Sequence, residues 1–238
     1  MTHVKQVEAF ERLVTFCTGY GGSYNPGRPT LQIDALQNQL IEVKSAIEKA
    51  KLARTEFDSE VNQRKQAFDQ LPKVLSGILR TLEASGAKPE KMEDARAFVN
   101  QIMGASSRNR KPIPSEQAES KVRRTGLQLA YASKVDAFSK LIQAVTLEPL
   151  YQPREKQYAI TGLTAQLSEL IAMNQKVDDA RAAWRNALLG RNNVMYRNDA
   201  SLTELARAVR KYVRAVFGLR SGEYAFVKAL QFTRPSTT

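Results

Sequence analysis

A long amphipathic stretch, residues 31–68, decides the fold of this protein, and it reads LQIDALQNQLIEVKSAIEKAKLARTEFDSEVNQRKQAF. Its apolar side chains recur at steps of three and four residues from Ile33 to Phe68. That spacing places them along one face of an α-helix, as in a coiled-coil seam. The stretch therefore predicts a single helix about 55 Å long, because an α-helix rises 1.5 Å per residue.

The second half of the chain repeats the first. The segment Val7–Phe10 (Val-Glu-Ala-Phe) reappears as Val135–Phe138 (Val-Asp-Ala-Phe), at an offset of 128 residues. An offset of 127 pairs Tyr24 with Tyr151, Phe57 with Trp184, and Arg64 with Arg191. Ordered matches at a nearly constant offset predict a tandem duplication.

Turn-forming residues divide each repeat into four helices. In the first repeat we expect helices at residues 4–18, 31–68, 70–85 and 89–103, and in the second at 117–146, 155–193, 202–217 and 222–230. Ser201 and Glu204 have the spacing of a capping box, and Gly218 follows the same helix as a stop. No alternating strand pattern is present. The predicted fold is all-α, a tandem duplication of an antiparallel four-helix unit with one long helix in each unit.

The domain boundaries follow from this duplication. We expect a first helical-bundle repeat at residues 1–104, a basic Pro/Ser linker at 105–114 and a second repeat at 115–238. The second repeat has an extra helical stretch, residues 117–132, before the part that matches the first helix. Without such a stretch, the first helix should leave one side of Phe57 and Val61 uncovered. Cover from within the chain is the main expectation, and docking of a partner helix is the alternative.

The residue types exclude most catalytic sites. The chain has one histidine, His3, and one cysteine, Cys17. Hydrolytic triads and zinc sites need several such side chains in one cleft. We expect His3 to be solvated near the chain start, and Cys17 to be a small buried side chain. No glycine-rich nucleotide-binding motif occurs. The sequence predicts no enzyme activity, no cofactor and no metal.

The hydropathy pattern favours a cytoplasmic protein. No window approaches eighteen uninterrupted apolar residues, so no integral membrane association is expected. Charged side chains recur through residues 1–16, which breaks any signal-peptide hydrophobic region. A single cysteine forms no internal disulfide, as is usual for proteins of a reducing compartment.

Positive charge concentrates after residue 104. The net charge is +12, of which residues 1–104 carry +1, residues 105–128 carry +4 and residues 129–238 carry +7. Two basic clusters could contact anions or nucleic-acid phosphates. They consist of Arg108, Arg110, Lys111, Lys121, Arg123 and Arg124 in and after the linker, and of Arg207, Arg210, Lys211 and Arg214 on one helix. A solvated face that maintains solubility is the main interpretation, because no base-stacking motif accompanies the charges.

Four arginines occupy seam positions of the two long helices: Arg54, Arg64, Arg181 and Arg191. A guanidinium at such a position must find a partner or reach water. We expect structural ion pairs with Glu8 and Asp136, which occupy matching places on the two first helices. An anion-binding pocket is the alternative. Trp184 matches Phe57 and is expected to pack in the core.

Several phrases of the second half resemble a known group of proteins. They include residues 133–142 (SKVDAFSKLI), 191–196 (RNNVMY) and 209–218 (VRKYVRAVFG), followed by Phe232-Thr233-Arg234-Pro235. They are similar to a group of uncharacterised bacterial proteins built from duplicated helical bundles. The resemblance covers nearly all of the second repeat and implies the architecture alone, with no activity attached.

These observations predict a non-enzymatic helical scaffold that works by protein–protein interaction. The alternative is a protein that binds the nucleic-acid backbone through the basic linker and second repeat. The expected partner is a protein, with nucleic acid and a homo-oligomer as further options.

Overall fold

The computed structural model describes residues 2–104, 119–197 and 199–233, and for residues 119–129 it gives the helical backbone alone. These residues contain helices and turns and no β-strand, which confirms the all-α class. The helices are α1 (His3–Gly19), α2 (Ile33–Asp69), α3 (Leu71–Ala84), α4 (Pro89–Met103), α5 (Glu119–Thr146), α6 (Ile160–Asn192), α7 (Leu202–Phe217) and α8 (Gly222–Ala229). The predicted linker, residues 105–114, lies outside the described residues.

Local side-chain chemistry sets several helix ends. The Thr2 hydroxyl accepts a hydrogen bond from the Lys5 backbone N–H at 3.4 Å, so α1 begins with an N-cap. Ser221 caps α8 in the same way, accepting from the Tyr224 N–H at 3.0 Å. Gly104 ends α4 with a φ of 76°, a left-handed conformation that glycine adopts without steric cost.

The predicted capping box at the start of α7 does not form. The Ser201 hydroxyl is buried and makes no hydrogen bond to the helix. Glu204 instead lies 2.9 Å from the Arg207 guanidinium, one turn further along α7. The neighbouring hydroxyl of Thr203 donates to the Met195 carbonyl at 3.1 Å. A charged partner on the same helix has thus taken the carboxylate that the capping box needs.

The described chain forms two compact units that differ from the predicted repeats. Unit 1 comprises Met1–Glu56 and Arg181–Thr238, and unit 2 comprises Phe57–Ala180. Each of the long helices α2 and α6 contributes one part to unit 1 and the other part to unit 2. The boundaries predicted near residues 104 and 115 therefore do not coincide with the boundaries of the compact units.

The core of unit 1 is built around α1. Phe10 and Leu13 of α1 are fully buried, together with Leu36 of α2 and Val209 of α7. Between α1 and α2, Lys44 also pairs with Glu11 at 3.1 Å, but both side chains are about half exposed. An exposed pair contributes about 0.2–1 kcal/mol, whereas a buried leucine contributes about 2–5 kcal/mol. Apolar burial therefore holds α1 in place.

The core of unit 2 is built from the same kinds of helices as the core of unit 1. Phe138 and Leu141 of α5 are fully buried with Leu163 of α6 and Ile78 of α3. Val177 of α6, also in unit 2, is fully buried as well. Each core thus combines one first helix, parts of both long helices, and the two shorter helices of the opposite half of the sequence.

Side chains at matching positions of the two repeats make matching contacts. The Tyr24 hydroxyl donates to the Leu31 carbonyl at 2.8 Å, and the Tyr151 hydroxyl donates to the Tyr158 carbonyl at 2.9 Å. Both partners are related by the same offset of 127 residues. Burial raises the pKa of Tyr24, and it raises the pKa of Tyr151 to about 12. These parallels agree with the predicted duplication, which stays a prediction.

Two glycines of α6 provide a test of how the chain packs at the start of this helix. A Cβ atom at Gly162 would overlap the Lys156 backbone carbonyl, whereas a Cβ at Gly190 would meet nothing within 4 Å. We expect Gly162→Ala to destabilise the protein by about 1–3 kcal/mol, the usual cost of overpacking. Gly190→Ala should stabilise it by about 0.5–1 kcal/mol, because alanine is the better helix former. Urea unfolding of both variants measures this difference, and equal stabilities would contradict the turn that precedes α6.

Candidate functional site

A groove of about 670 Å³ lies in unit 1 between α2 and α6, at the start of α1. The surface that lines it is mostly apolar, although apolar, polar and cationic residues all contribute to it. They are Thr2, His3, Val4, Ile47, Ala50, Lys51, Arg54, Thr55, Trp184, Leu188 and Arg191. Within the described residues, no carboxylate lines this groove.

The groove lies where α1 begins, because the apolar face of α2 continues beyond the first residue of α1. Glu11 of α1 pairs with Lys44 of α2, and His3 lies beside α2 residues from Ile47 onward. The two helices are therefore antiparallel, and the start of α1 points toward the later part of α2. Since Thr2 caps α1, the face of α2 that includes Ala50 and Arg54 continues past the end of its cover.

Trp184 forms one wall of the groove. It is half-buried, and the Arg54 guanidinium lies 4.4 Å from the centre of its ring. This is a cation–π contact, in which the positive charge lies over the negative face of the indole. The prediction that Trp184 packs in the buried core is wrong, because no part of α1 extends over this position.

The start of α1 forms the other end of the groove. His3 is half-buried rather than solvated, with its ring 6.1 Å from that of Tyr196. The Tyr196 hydroxyl accepts a hydrogen bond from the buried Gln6 amide at 3.1 Å. Burial, and to a lesser extent the nearby Arg191 guanidinium, lower the pKa of His3. His3 is therefore a neutral part of the groove at neutral pH.

Unit 2 contains a related arrangement of an arginine and two rings. The Arg64 guanidinium lies 4.1 Å from the Tyr131 ring centre, and the Tyr131 ring packs edge-on against Phe68 at 4.7 Å. These residues match Arg191, His3 and Tyr196 of unit 1 at offsets of 127 and 128. Sequence reasoning identified the two arginines and missed the rings, although the same register would have located them.

The seam arginines contact groups other than the predicted carboxylates. Asp136 pairs with Lys140 at 2.7 Å on the same helix, and Glu8 is exposed on α1. Arg191 donates to the Asn192 side-chain oxygen at 2.9 Å, and desolvation lowers the pKa of Arg191. Arg54 and Arg64 lie over aromatic rings, as described above, and Arg181 is half-buried on α6. Aromatic rings thus lie next to two of the four arginines, Arg54 and Arg64, that the sequence had assigned to ion pairs with Glu8 and Asp136.

The uncovered surface also differs in position from the expected one. Phe57 and Val61, which the first helix was expected to leave uncovered and another part of the chain to cover, are half-buried residues of unit 2. The uncovered groove begins about three helical turns earlier on α2, at Ile47. This difference arises because α2 passes from one core to another after Glu56, which a pattern along one helix does not reveal.

The opposite side of the same helix pair has a second depression, of about 440 Å³. Leu52 of α2 is 70% exposed there, next to Ala183 and Ala187 of α6. Glu48, Lys49 and Glu56 contribute both signs of charge around it. In unit 1, therefore, α2 and α6 expose apolar side chains on two sides.

The predicted basic face of α7 is partly engaged within the protein. Arg207 lies 2.9 and 3.0 Å from the two carboxylate oxygens of Glu204. Arg210 is half-buried, donates to the Val227 carbonyl at 3.0 Å, and lies 5.0 Å from the Phe232 ring centre. Lys211 and Arg214 are exposed. The other predicted cluster (Arg108, Arg110, Lys111, Lys121, Arg123 and Arg124) lies outside the described side chains.

The described residues offer neither a reactive cysteine, nor a metal-binding cluster, nor a membrane-spanning helix. Cys17 is buried as predicted, and burial raises the pKa of its thiol to about 12, so it is a poor nucleophile. The described residues contain no group of three or more acidic, histidine or cysteine side chains placed to bind a metal. Among the described helices, none combines the length and apolar character needed to cross a membrane.

The lowered pKa of His3 predicts a pH effect on stability. In the unfolded chain His3 takes up a proton near its ordinary pKa of 6.5, whereas in the folded protein it stays neutral to lower pH. The unfolded state then binds more protons, so its stability relative to the folded state increases as pH falls below 6.5. We expect wild type to lose stability relative to His3→Gln between pH 7.5 and 5. Chemical unfolding of both proteins across this range measures the difference, and parallel pH profiles would contradict the partly buried position of His3.

Comparison with protein-family models, curated proteins and solved structures finds no match for this chain. Its function must therefore be inferred from the geometry, burial and charge of its own side chains.

Proposed function

We propose that this protein is a non-enzymatic helical scaffold that binds another protein through the groove of unit 1. The observation that carries the proposal is the apolar groove that α1 leaves open, with Trp184 and Arg54 stacked in its wall. Tryptophan and arginine are the residue types that most often dominate binding energy at protein interfaces. Apolar surface of this kind is stabilised when a partner removes it from water.

The helix pair that carries the groove is suited to a scaffold. Ala50 and Ala187 are buried, so the groove lies on a rigid surface formed by two long helices rather than on a loop. A preorganised surface avoids part of the entropy cost of ordering an interface. We further propose that the two repeats, residues 1–104 and 115–238, descend from one duplicated four-helix unit and that the protein acts in the cytoplasm. The shared tyrosine and arginine contacts support the duplication.

Site-specific photo-crosslinking tests the proposed function. A photoreactive residue at Leu188, inside the groove, should crosslink to a defined protein in cells that express this chain naturally. The same residue at Lys228, an exposed position of α8, provides the control. Thr55→Trp should fill the groove and remove the crosslink, whereas Lys49→Trp, on the opposite side of α2, should leave it unchanged.

The pattern of crosslinks decides the result. One protein species, or a second copy of this chain, captured from Leu188 and lost in Thr55→Trp supports the scaffold. Equal capture from Leu188 and Lys228, or no protein captured from Leu188, would contradict it.

The alternative function is binding to a nucleic-acid backbone. It is favoured by the net charge of +12 and by Arg28, Arg207 and Lys211, which line one depression of about 410 Å³. Asp199 and Glu204 line the same depression and reduce its attraction for phosphates. The scaffold is therefore the better supported of the two functions.

Salt-dependent binding separates the alternatives. If phosphates are the partner, RNA or DNA affinity should fall steeply with salt, and Lys211→Gln/Arg214→Gln should reduce the slope by about one unit per lost contact. Lys88→Gln/Lys91→Gln, which removes two exposed cations at the start of α4, is the matched control. We expect fluorescence anisotropy to give the same RNA or DNA affinity, and the same salt dependence, for the two double variants. A slope reduced in the α7 variant alone would favour nucleic acid.

A further inference from the structure

Unit 2 indicates what kind of element belongs in the groove of unit 1. At an offset of 128, the first residue of α1, His3, matches Tyr131 of α5. The helix α5 does not begin there, because it starts at Glu119, twelve residues earlier. Twelve helical residues span about 18 Å. A segment of three helical turns thus precedes the matching position in unit 2, whereas α1 begins at that position.

The first residues of α1 lie at the groove of unit 1. Thr2, His3 and Val4 line one end of the groove, and Ile47 and Arg54 mark its extent along α2. A helix continued backward from α1 would run along this face of α2, because the two helices are antiparallel. The groove between α2 and α6 therefore lies where a helix continued backward from α1 would run.

The charges of the two units differ at this place. Lys51 lines the groove of unit 1, and the matching residue of α6 in unit 2 is Asp178. The extra turns of α5 carry three cations and one carboxylate in their sequence, at Lys121, Arg123, Arg124 and Glu119. In sequence, unit 2 thus has an aspartate where unit 1 has Lys51. Unit 1 has a lysine at that position, together with the guanidinium groups of Arg54 and Arg191.

We infer that the groove of unit 1 binds an acidic amphipathic helix of a partner protein, about three to four turns long, in line with α1. This inference rests on the proposed function and specifies its partner. Apolar side chains spaced at i, i+3, i+4 and i+7 pack against Trp184, Leu188 and Ile47. Glutamate or aspartate side chains beside that stripe face Lys51. Lys51 already pairs with Glu48 at 2.6 Å, but both side chains are about 60% exposed, so this pair gives way at little cost.

A peptide library tests the sign of the partner's charge. The probe is a displayed set of 16-residue helical peptides with a fixed apolar stripe and either glutamate or lysine at each flanking position. Selection on the whole protein, with counter-selection on Leu188→Arg, should enrich glutamate at the flanks. Equal recovery of both residues, enrichment of lysine, or no enrichment over the counter-selection would overturn the inference.

Trp184 provides the readout for the selected peptide, because it is the single tryptophan of the chain and lies in the groove. Its emission should change on titration with the peptide and saturate. Lys51→Glu should weaken the affinity about fivefold, the upper range for one exposed charge pair. Lys49→Glu makes the same charge change on the opposite side of α2 and should leave the affinity unchanged.

The outcomes separate this inference from the proposed function. If Leu188 crosslinks to a natural protein while acidic peptides are not enriched, the scaffold stands and the acidic helix is wrong. If neither crosslinking nor selection detects binding at the groove, both fall. An affinity that is equal in Lys51→Glu and wild type would show that apolar contact alone selects the partner, and would overturn the charge assignment.

Discussion

The structure depends on the burial of one continuous apolar face along each long helix. Neither α2 nor α6 can bury that face within one small core, because each spans more than thirty residues. Each helix therefore contributes to both units, with Leu36 of α2 and Ala187 of α6 buried in unit 1, and Phe68 of α2 and Leu163 of α6 buried in unit 2. Both compact units consequently draw on both halves of the sequence, and neither repeat forms a core alone.

The same constraint produces the groove. Apolar residues continue along α2 and α6 farther than α1 extends, so part of the face remains open to solvent in unit 1. The residues there are adapted to partial exposure, since Arg54 covers the Trp184 ring and His3 stays neutral beside Arg191. A cation over an aromatic face retains access to water while shielding the ring, which a buried ion pair would not allow.

Charge distribution distinguishes the two proposed functions on physical grounds. Much of the basic face predicted on α7 is neutralised locally, because Arg207 binds Glu204 and Arg210 binds a backbone carbonyl. The cations beside the groove lie next to apolar side chains, although Lys51 likewise pairs with a carboxylate of its own helix, Glu48. Phosphate backbones favour dense, open positive surfaces, whereas an apolar stripe with a basic edge favours an amphipathic protein helix.

The sequence by itself determined the all-α class, the two long helices and the burial of Cys17, because these depend on periodicity and residue type along one helix. The repeat register also related Tyr24 to Tyr151 before any contact was known. Only the tertiary structure decided which segments share a core, why Glu8 and Asp136 do not pair with the seam arginines, and where the uncovered face lies. These features depend on which helix covers which, and a periodic pattern specifies that a face is buried without specifying its partner.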